Sequence, residues 1–356
     1  MDKMLYLRRN KKIMILFTSI ITLSILTIIT IVTLESSVHN ASREMVLSPL
    51  ERFSIARWQN PNEEPSIDAL RTIGGGEHQI FEVSLWHVGL STMLGSMLSF
   101  AVLPDNSDDL YEIFNQSGLV MLDGNMPRDG YSEIIVHEQI LINRDLSIGE
   151  VFFAGLTVSG YFTGDVTTSL GLSNASTSSN DFLIIPTHGG VDLLNSELDL
   201  LHGDDWSVFS YSRSLATLED DFSKMITMLF INMSLVSTSV AIALGALVYT
   251  MYQGRMSEFA ILSALGETKQ KIGQIILKET VSIVTLSWVL GYLLSLVMLF
   301  VLDIAFFRRL GQYILFFSLE ALLLSVAISI FIIMCAVIPA RIKLWKSDLI
   351  VIIERG

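Results

Sequence analysis

The sequence predicts a membrane protein with four transmembrane α-helices and an α+β extracytoplasmic domain inserted between the first and second (a 1+3 arrangement). Three observations predict this fold class. Of the 356 residues, 51% are hydrophobic and only 17% are charged, whereas soluble domains average ~25% charged residues. Four long stretches carry no charge at all, and an acidic block, residues 35–224, separates the first of them from the other three.

The charge is divided unevenly along the chain. Between Glu35 and Asp221 there are 28 acidic and 7 basic residues, a net charge of −21, while the remainder carries +8. Such an acidic block excludes nucleic acid as a partner, because phosphate binding needs clustered Lys and Arg. Cys335 is the single cysteine, which excludes an internal disulfide and a CxxC zinc site.

Each charge-free run is long enough to cross a bilayer, for which ~20 apolar residues suffice. The predicted spans are residues 13–34, 225–252, 280–302 and 321–340. A cleaved signal peptide is the alternative for the first span, but its apolar core exceeds the usual ~7–15 residues and no clear A-x-A site follows. We therefore expect an uncleaved anchor.

Positive charges predict the orientation of the spans, since Lys and Arg collect on the cytoplasmic side. This places three segments in the cytoplasm: the N-terminus 1–12, the loop 253–279 and the C-terminus 341–356. Residues 303–320 form a short external loop that contains Arg308 and Arg309. Glu320 is expected at the outer membrane surface; the alternative, a span beginning near Tyr313, would put its carboxylate inside the membrane.

The second apolar run is longer than a membrane requires. We interpret Leu215–Tyr252 as one helix, part stalk and part span, because few helix breakers interrupt it. The alternative is two helices with a break near Asp220–Asp221.

The extracytoplasmic block has mixed signals. Helices are predicted at Ala41–Trp58, from Ser107 as N-cap through Phe114, and at Val191–Leu201. Short runs rich in Val, Ile and Phe predict strands: Gln79–Leu85, Leu119–Leu122, Glu133–Val136, Val151–Phe162, Phe182–Pro186 and Ser207–Tyr211. Gly171–Asn180 and Gly74–Gly76 are expected to be loops.

A search for chemical motifs predicts no catalytic, cofactor or metal site. The chain lacks the P-loop, H-E-x-x-H and G-x-S-x-G patterns, so it cannot bind ATP through a P-loop of its own. The nearest histidine pair, His78 and His87, is nine residues apart and fits no standard zinc spacing.

The cytoplasmic loop carries the most informative pattern. Met256, Phe259 and Leu262 recur every three residues and predict one apolar face on a short helix. Gly266 suits the position just after its C-terminus, and Thr268 can cap a second helix that enters the membrane. A short helix of this kind suits docking in a groove of a partner protein; the alternative is a helix lying flat on the lipid surface.

Small residues lie at packing spacing within two spans. Ala241 and Gly245 are four apart, as are Gly291 and Ser295. Such pairs let helix backbones approach closely. Packing within the four-helix bundle and a role in dimerisation are both compatible with this pattern.

The segment Arg255–Ile272 resembles the region after the second span in FtsX/MacB-type ABC transporter permeases. Their pattern is R-x-x-E-h-x-h-h-[RK]-x-h-G-x-[ST], where h is an apolar residue. Six residues of this chain match it: Arg255, Glu258, Phe259, Leu265, Gly266 and Thr268. Ser263 departs from it where a basic residue is common. Weaker similarity lies at residues 124–138, 146–150, 156–160 and 339–341, while the family's C-terminal motif is degraded over residues 347–355.

This resemblance implies a permease subunit of the bacterial cytoplasmic membrane. The implied partners are an ABC ATPase subunit that binds the ATP, a second permease copy or paralogue, and an export adaptor or extracytoplasmic effector. It also implies an ATPase-docking coupling helix formed by Arg255, Met256, Glu258, Phe259, Leu262, Leu265 and Gly266.

Three functions follow as hypotheses. The first is export or extrusion of a peptide, antibiotic-like or lipid-linked substrate. The second is an FtsX-like signal transducer that regulates cell-wall hydrolases, and the third is a stand-alone membrane receptor without an ATPase. If Phe259 lies on the docking face, Phe259→Glu should abolish ATPase coupling and leave membrane insertion intact.

Overall fold

A computed structural model describes residues 11–60, 63–73, 78–93, 95–172, 180–187, 191–203 and 205–346. The chain divides into two compact units. The helix unit contains the described residues up to Ser36, the segment Met225–Val301 and the described residues from Leu315 onward. The sheet unit contains Ser37–Lys224 and the short segment Leu302–Ile314.

Within these described ranges, four helices are long and apolar enough to cross a membrane, and their most apolar windows have mean hydropathies between 1.8 and 3.0. They are α1 (Lys11–Leu47), α6 (Tyr211–Gln253), α8 (Lys269–Leu302) and α9 (Leu319–Lys346), and the short α7 (Met256–Ala264) lies between α6 and α8. The 43 residues of α6 form one helix, so the interpretation without a break at Asp220–Asp221 is confirmed. The membrane boundaries predicted within these helices stay predictions.

The sheet unit is built on a mixed sheet. In the described part of the chain it has nine strands in the order β4-β6-β5-β7-β3-β2-β8-β1-β9. The strands are β1 (Ser54–Trp58), β2 (His78–Thr92), β3 (Gly95–Pro104), β4 (Val120–Gly124), β5 (Glu133–His137), β6 (Thr157–Thr163), β7 (Ser169–Leu172), β8 (Asp181–Pro186) and β9 (Trp206–Phe209). The pairs β5–β6 and β3–β7 are parallel and the others antiparallel.

The strands carry apolar residues that form an apolar face of the sheet. Helices pack on this face because it must be shielded from water. On one part, α3 (Ser107–Gln116) buries Leu110, Ile113 and Phe114 in a cluster with strand residues. Elsewhere α2 (Ile67–Arg71) and α5 (Val191–Leu201) contribute to a cluster around Trp58 and Trp206. The predicted helix Val191–Leu201 is confirmed.

The prediction of a helix over Ala41–Trp58 is wrong beyond residue 47. Helix α1 ends at Leu47, and Pro49, which has no N–H to donate to a preceding carbonyl, opens a single 3-10 turn. The chain then enters β1, which hydrogen-bonds with β8 on one side and β9 on the other. These two neighbours lie more than 120 residues further along, so no local pattern indicates this strand.

Other boundaries also differ from the sequence-based expectation. Asn106, not Ser107, caps α3, because its side-chain oxygen accepts the Asp109 N–H at 2.8 Å. Residues 151–156 form a turn with a positive φ at Ala154 and Gly155 instead of the start of a strand. Strands β3 and β7 were not predicted. Gly74–Gly76 and most of Gly171–Asn180 lie outside the described residues.

The short helix α4 (Glu138–Asn143) is capped by a buried histidine. His137 Nδ1 accepts the Gln139 N–H at 3.3 Å, which makes the Nε2–H the donor to the Gly164 carbonyl at 3.2 Å. Burial lowers the pKa of His137. The neutral ring therefore stabilises the fold, and protonation would remove the acceptor that caps α4.

We expect the stability around α4 to fall in mild acid. The contribution of neutral His137 to the free energy of unfolding is complete above the pKa of ~6.5 that histidine has in the unfolded chain. It is lost as the pH falls from there through the lowered pKa of His137 in the folded protein. Hydrogen exchange of the α4 and β5 amides in the full-length protein, corrected for intrinsic exchange, measures this loss. His137→Gln should remove the pH dependence, and an equal pH dependence in that variant would contradict the role of His137.

Candidate functional site

The loop between α6 and α8 folds as helix, turn and helix, which confirms the local structure predicted for it. Helix α7 ends at Ala264, and Gly266 takes a left-handed conformation (φ 89°) just beyond it. Thr268 Oγ1 then accepts the Lys271 N–H at 3.4 Å at the start of α8. The turn joins the end of α7 to the start of α8.

A buried ion pair fixes the beginning of α7. The Arg255 guanidinium donates to Glu279 on α8 over 2.6 Å, and both side chains are buried. It also contacts Glu258 over 3.2 Å and lies over the rings of Tyr252 and Phe259. These contacts pair the buried charge, as burial requires, and they join the end of α6, α7 and α8 in one packed corner.

Phe259 lies inside this corner. Its side chain is only 1% exposed and belongs to the same apolar cluster as Ile272, Ile276 and Leu344. The expectation that Phe259 lies on a docking face is therefore wrong. The apolar face predicted from residues 256, 259 and 262 is the face that α7 turns toward its own chain, with Met256 and Leu262 half-buried beside it.

The opposite face of α7 is exposed, and its residues near the C-terminal end of the helix are apolar. Ser257, Ile261, Ala264 and Leu265 lie on this side, and Ile261 and Leu265 are 56% and 74% exposed. We call these four residues the exposed face of α7. Two members of the predicted docking set, Leu265 and Gly266, are exposed at this end of the helix, while Glu258 is half-buried at the edge.

The small residues predicted for packing lie at close helix contacts within the chain. A Cβ atom added to Gly245 would come within 2.9 Å of the Cys335 carbonyl oxygen on α9. One added to Gly291 would meet the Thr22 carbonyl and the Ile25 side chain on α1, both at 2.9 Å. Ala241 and Ser295 are fully buried. These positions let α6 approach α9 and let α8 approach α1.

Sequence reasoning missed Glu279 and Tyr252 as members of the site. The Tyr252 hydroxyl lies 3.3 Å from the Ile276 carbonyl and 3.2 Å from Thr280 Oγ1, which ties α6 to α8. One signal was present: Glu279 is an acidic residue directly before the charge-free run 280–302. A carboxylate in that position needs a buried cation, and Arg255 supplies it.

The four long apolar helices of the described residues define the class of the chain, a multi-pass membrane protein. Residues 229–349, from within α6 to just beyond α9, match the family of the FtsX-like permease C-terminal domain. This match covers about a third of the chain and agrees with the resemblance to FtsX-like permeases that the sequence shows in this region.

Several solved structures are similar to part of the chain, and one of them is an extracellular domain. It is described as the extracellular domain of the noncanonic ABC-type transporter YknZ from Gram-positive bacteria. The match has 14% sequence identity and a TM-score of 0.27, and it covers 44% of this chain and 100% of that structure's chain. No curated protein sequence matches the chain.

Proposed function

We propose that the chain is the permease subunit of an ABC transporter of the FtsX/MacB type in the bacterial cytoplasmic membrane. A separate ATPase subunit binds and hydrolyses ATP, and its movement is coupled to the sheet unit outside the cell membrane. The subunit pairs with a second copy or a paralogue, and an export adaptor or extracytoplasmic effector joins it. The substrate class is a peptide, an antibiotic-like molecule or a lipid-linked molecule.

The exposed face of α7 is the observation that carries this proposal. An apolar surface formed by Ile261, Ala264 and Leu265 is unfavourable in water and suits the groove of a partner protein. Through Arg255 and Glu279 the same helix is attached to α6 and α8. A force applied to α7 therefore reaches α6, a continuous helix whose first residue, Tyr211, follows β9 by two positions.

Two other functions are alternatives to the transporter. An FtsX-like transducer of cell-wall hydrolases would also use an ATPase. The external domain of such transducers is usually smaller than residues 35–224, which favours the transporter. A stand-alone receptor, or a helix α7 lying flat on lipid, would need no ATPase at all.

The test is to purify the full-length protein from native membranes in mild detergent and to identify bound proteins by mass spectrometry. An ATP-binding subunit in near-equal amount supports the ABC permease. Its other companions then separate transport, marked by an export adaptor, from wall regulation, marked by a secreted hydrolase. If no ATP-binding subunit is recovered, the stand-alone receptor replaces the transporter.

The orientation is a separate prediction. In a Cys335→Ser background, Tyr131→Cys on the sheet unit should react with a membrane-impermeant maleimide in intact cells. Ser257→Cys on α7 should react only after the membrane is permeabilised. Both positions are exposed, so access to the reagent decides the result. The reverse labelling pattern would contradict the orientation with cytoplasmic termini.

A further inference from the structure

The short segment Asp303–Tyr313, which follows α8 directly, has two different sides. One side is buried in the sheet unit: Asp303, Phe307 and Gln312 are almost fully covered. The other side exposes Ile304, Phe306 and Tyr313 together with Arg308 and Arg309. We call these five residues the outer foot.

Contacts within the sheet unit hold the segment firmly. Asn143 at the end of α4 donates to the Leu310 carbonyl at 2.8 Å and bridges to Ser91. Gly311 takes a left-handed conformation (φ 66°), and any Cβ there would come within 2.7 Å of the Gln139 carbonyl oxygen. The buried Asp303 pairs with Arg308 over 2.8 Å and accepts the Ile314 N–H. The exposed side of the foot is thus fixed in place.

The position of the foot along the chain predicts that it lies at a membrane surface. The charge-free run of α8 has 23 residues, which measure about 34 Å as a helix and match the ~30 Å hydrocarbon core. Asp303 is the first charge after that run. The length of the run therefore predicts that the foot begins where the helix leaves the hydrocarbon, in the region of the lipid headgroups.

The side chains of the foot fit that region. Aromatic rings are enriched at the membrane–water interface, and the guanidinium of arginine binds phosphate oxygens in a bidentate manner. Within the described residues Arg309 forms no ion pair, although the sheet unit is rich in carboxylates. A cation exposed beside apolar side chains is complementary to the phosphate of a lipid.

We propose that the outer foot is a binding site for the headgroup of an anionic phospholipid in the leaflet on the side of the sheet unit. Ile304, Phe306 and Tyr313 enter the upper acyl region, and Arg309, assisted by Arg308, binds the phosphate. The sheet unit is thereby fastened to the membrane surface through its own loop. This site is independent of the ATPase and of the nature of the transported substrate.

The first experiment measures depth in the full-length protein in nanodiscs of phosphatidylcholine and phosphatidylglycerol. In a Cys335→Ser background, spin labels at Phe306→Cys and at the control Tyr131→Cys report access to oxygen and to a water-soluble nickel chelate. The two native residues have matched exposure, 52% and 55%. We expect the label at 306 to be open to oxygen and shielded from nickel. Equal nickel access at both positions would overturn the proposal.

The second experiment measures the headgroup contact. Native mass spectrometry counts the phosphatidylglycerol retained by the wild type, by Arg309→Gln and by the control Arg52→Gln, an exposed arginine of the sheet unit paired with Asp165. Loss of one charge-assisted contact should lower retention roughly tenfold in Arg309→Gln alone. Unchanged retention in Arg309→Gln, or displacement of the lipid by inorganic phosphate, would overturn the lipid assignment.

Discussion

Replacing Glu279 by alanine is expected to destabilise the helix unit by about 3–5 kcal/mol, because the variant leaves the Arg255 guanidinium charged, buried and without its closest partner. The pair is short, at 2.6 Å, and both side chains are buried. Glu258 contacts the same guanidinium, but its carboxylate is half-exposed and provides only a partly screened interaction. The change should appear as a lower midpoint in thermal unfolding of the detergent-solubilised full-length protein.

Two further variants test the explanation. Arg255→Met combined with Glu279→Leu removes both charges at similar volume and should recover most of the lost stability, since apolar replacements of a buried pair are often neutral. Glu267→Ala breaks an exposed pair with Lys271 in the same loop and should cost no more than about 1 kcal/mol. A Glu279→Ala protein that unfolds at the wild-type midpoint would show that the pair does not hold the corner together.

Replacing Ile261 by glutamate is expected to weaken capture of the proposed ATPase subunit by at least about 30-fold without unfolding the protein. A charge in the centre of an apolar contact typically costs about 2 kcal/mol or more at an interface hot spot. Because Ile261 is exposed, the change removes nothing from the chain's own core. The measurement is the amount of ATP-binding subunit recovered with the purified protein, at equal permease yield.

Val120→Glu on β4 is the matched control, since Val120 is 59% exposed and lies in the sheet unit. It should leave ATPase recovery unchanged. Phe259→Glu is no longer a clean test of docking, because it buries a carboxylate beside Arg255 and the apolar cluster. Full recovery of the ATPase by Ile261→Glu would remove the exposed face of α7 from the proposed interface.

The long helices were predictable because their signal is local. A run of 20 to 30 residues without a charge has few interpretations, and one continuous α6 followed from the lack of breakers between Leu215 and Tyr252. The turn at Gly266 and the cap at Thr268 were predictable for the same reason, because each depends on the conformational preference of one residue.

The side of α7 that faces the chain was not predictable from periodicity. Both sides of this helix carry apolar residues: Phe259 on one, Ile261 and Leu265 on the other. Spacing indicates which residues share a face but not which face finds a partner within the chain. That choice depends on Glu279 and Ile276, which lie on α8 and reach α7 only after the turn is formed.

The placement of β1 determines when the sheet can be completed during synthesis. Residues 54–58 are made early, yet their two neighbours are residues 181–184 and 206–209. Closing such distant pairs is slow and exposes apolar strand edges until it happens. Since α6 begins at Tyr211, only two residues after β9, the last strand leaves the ribosome almost together with the second long helix. A nascent chain that stops before Trp206 therefore keeps one edge of β1 unpaired.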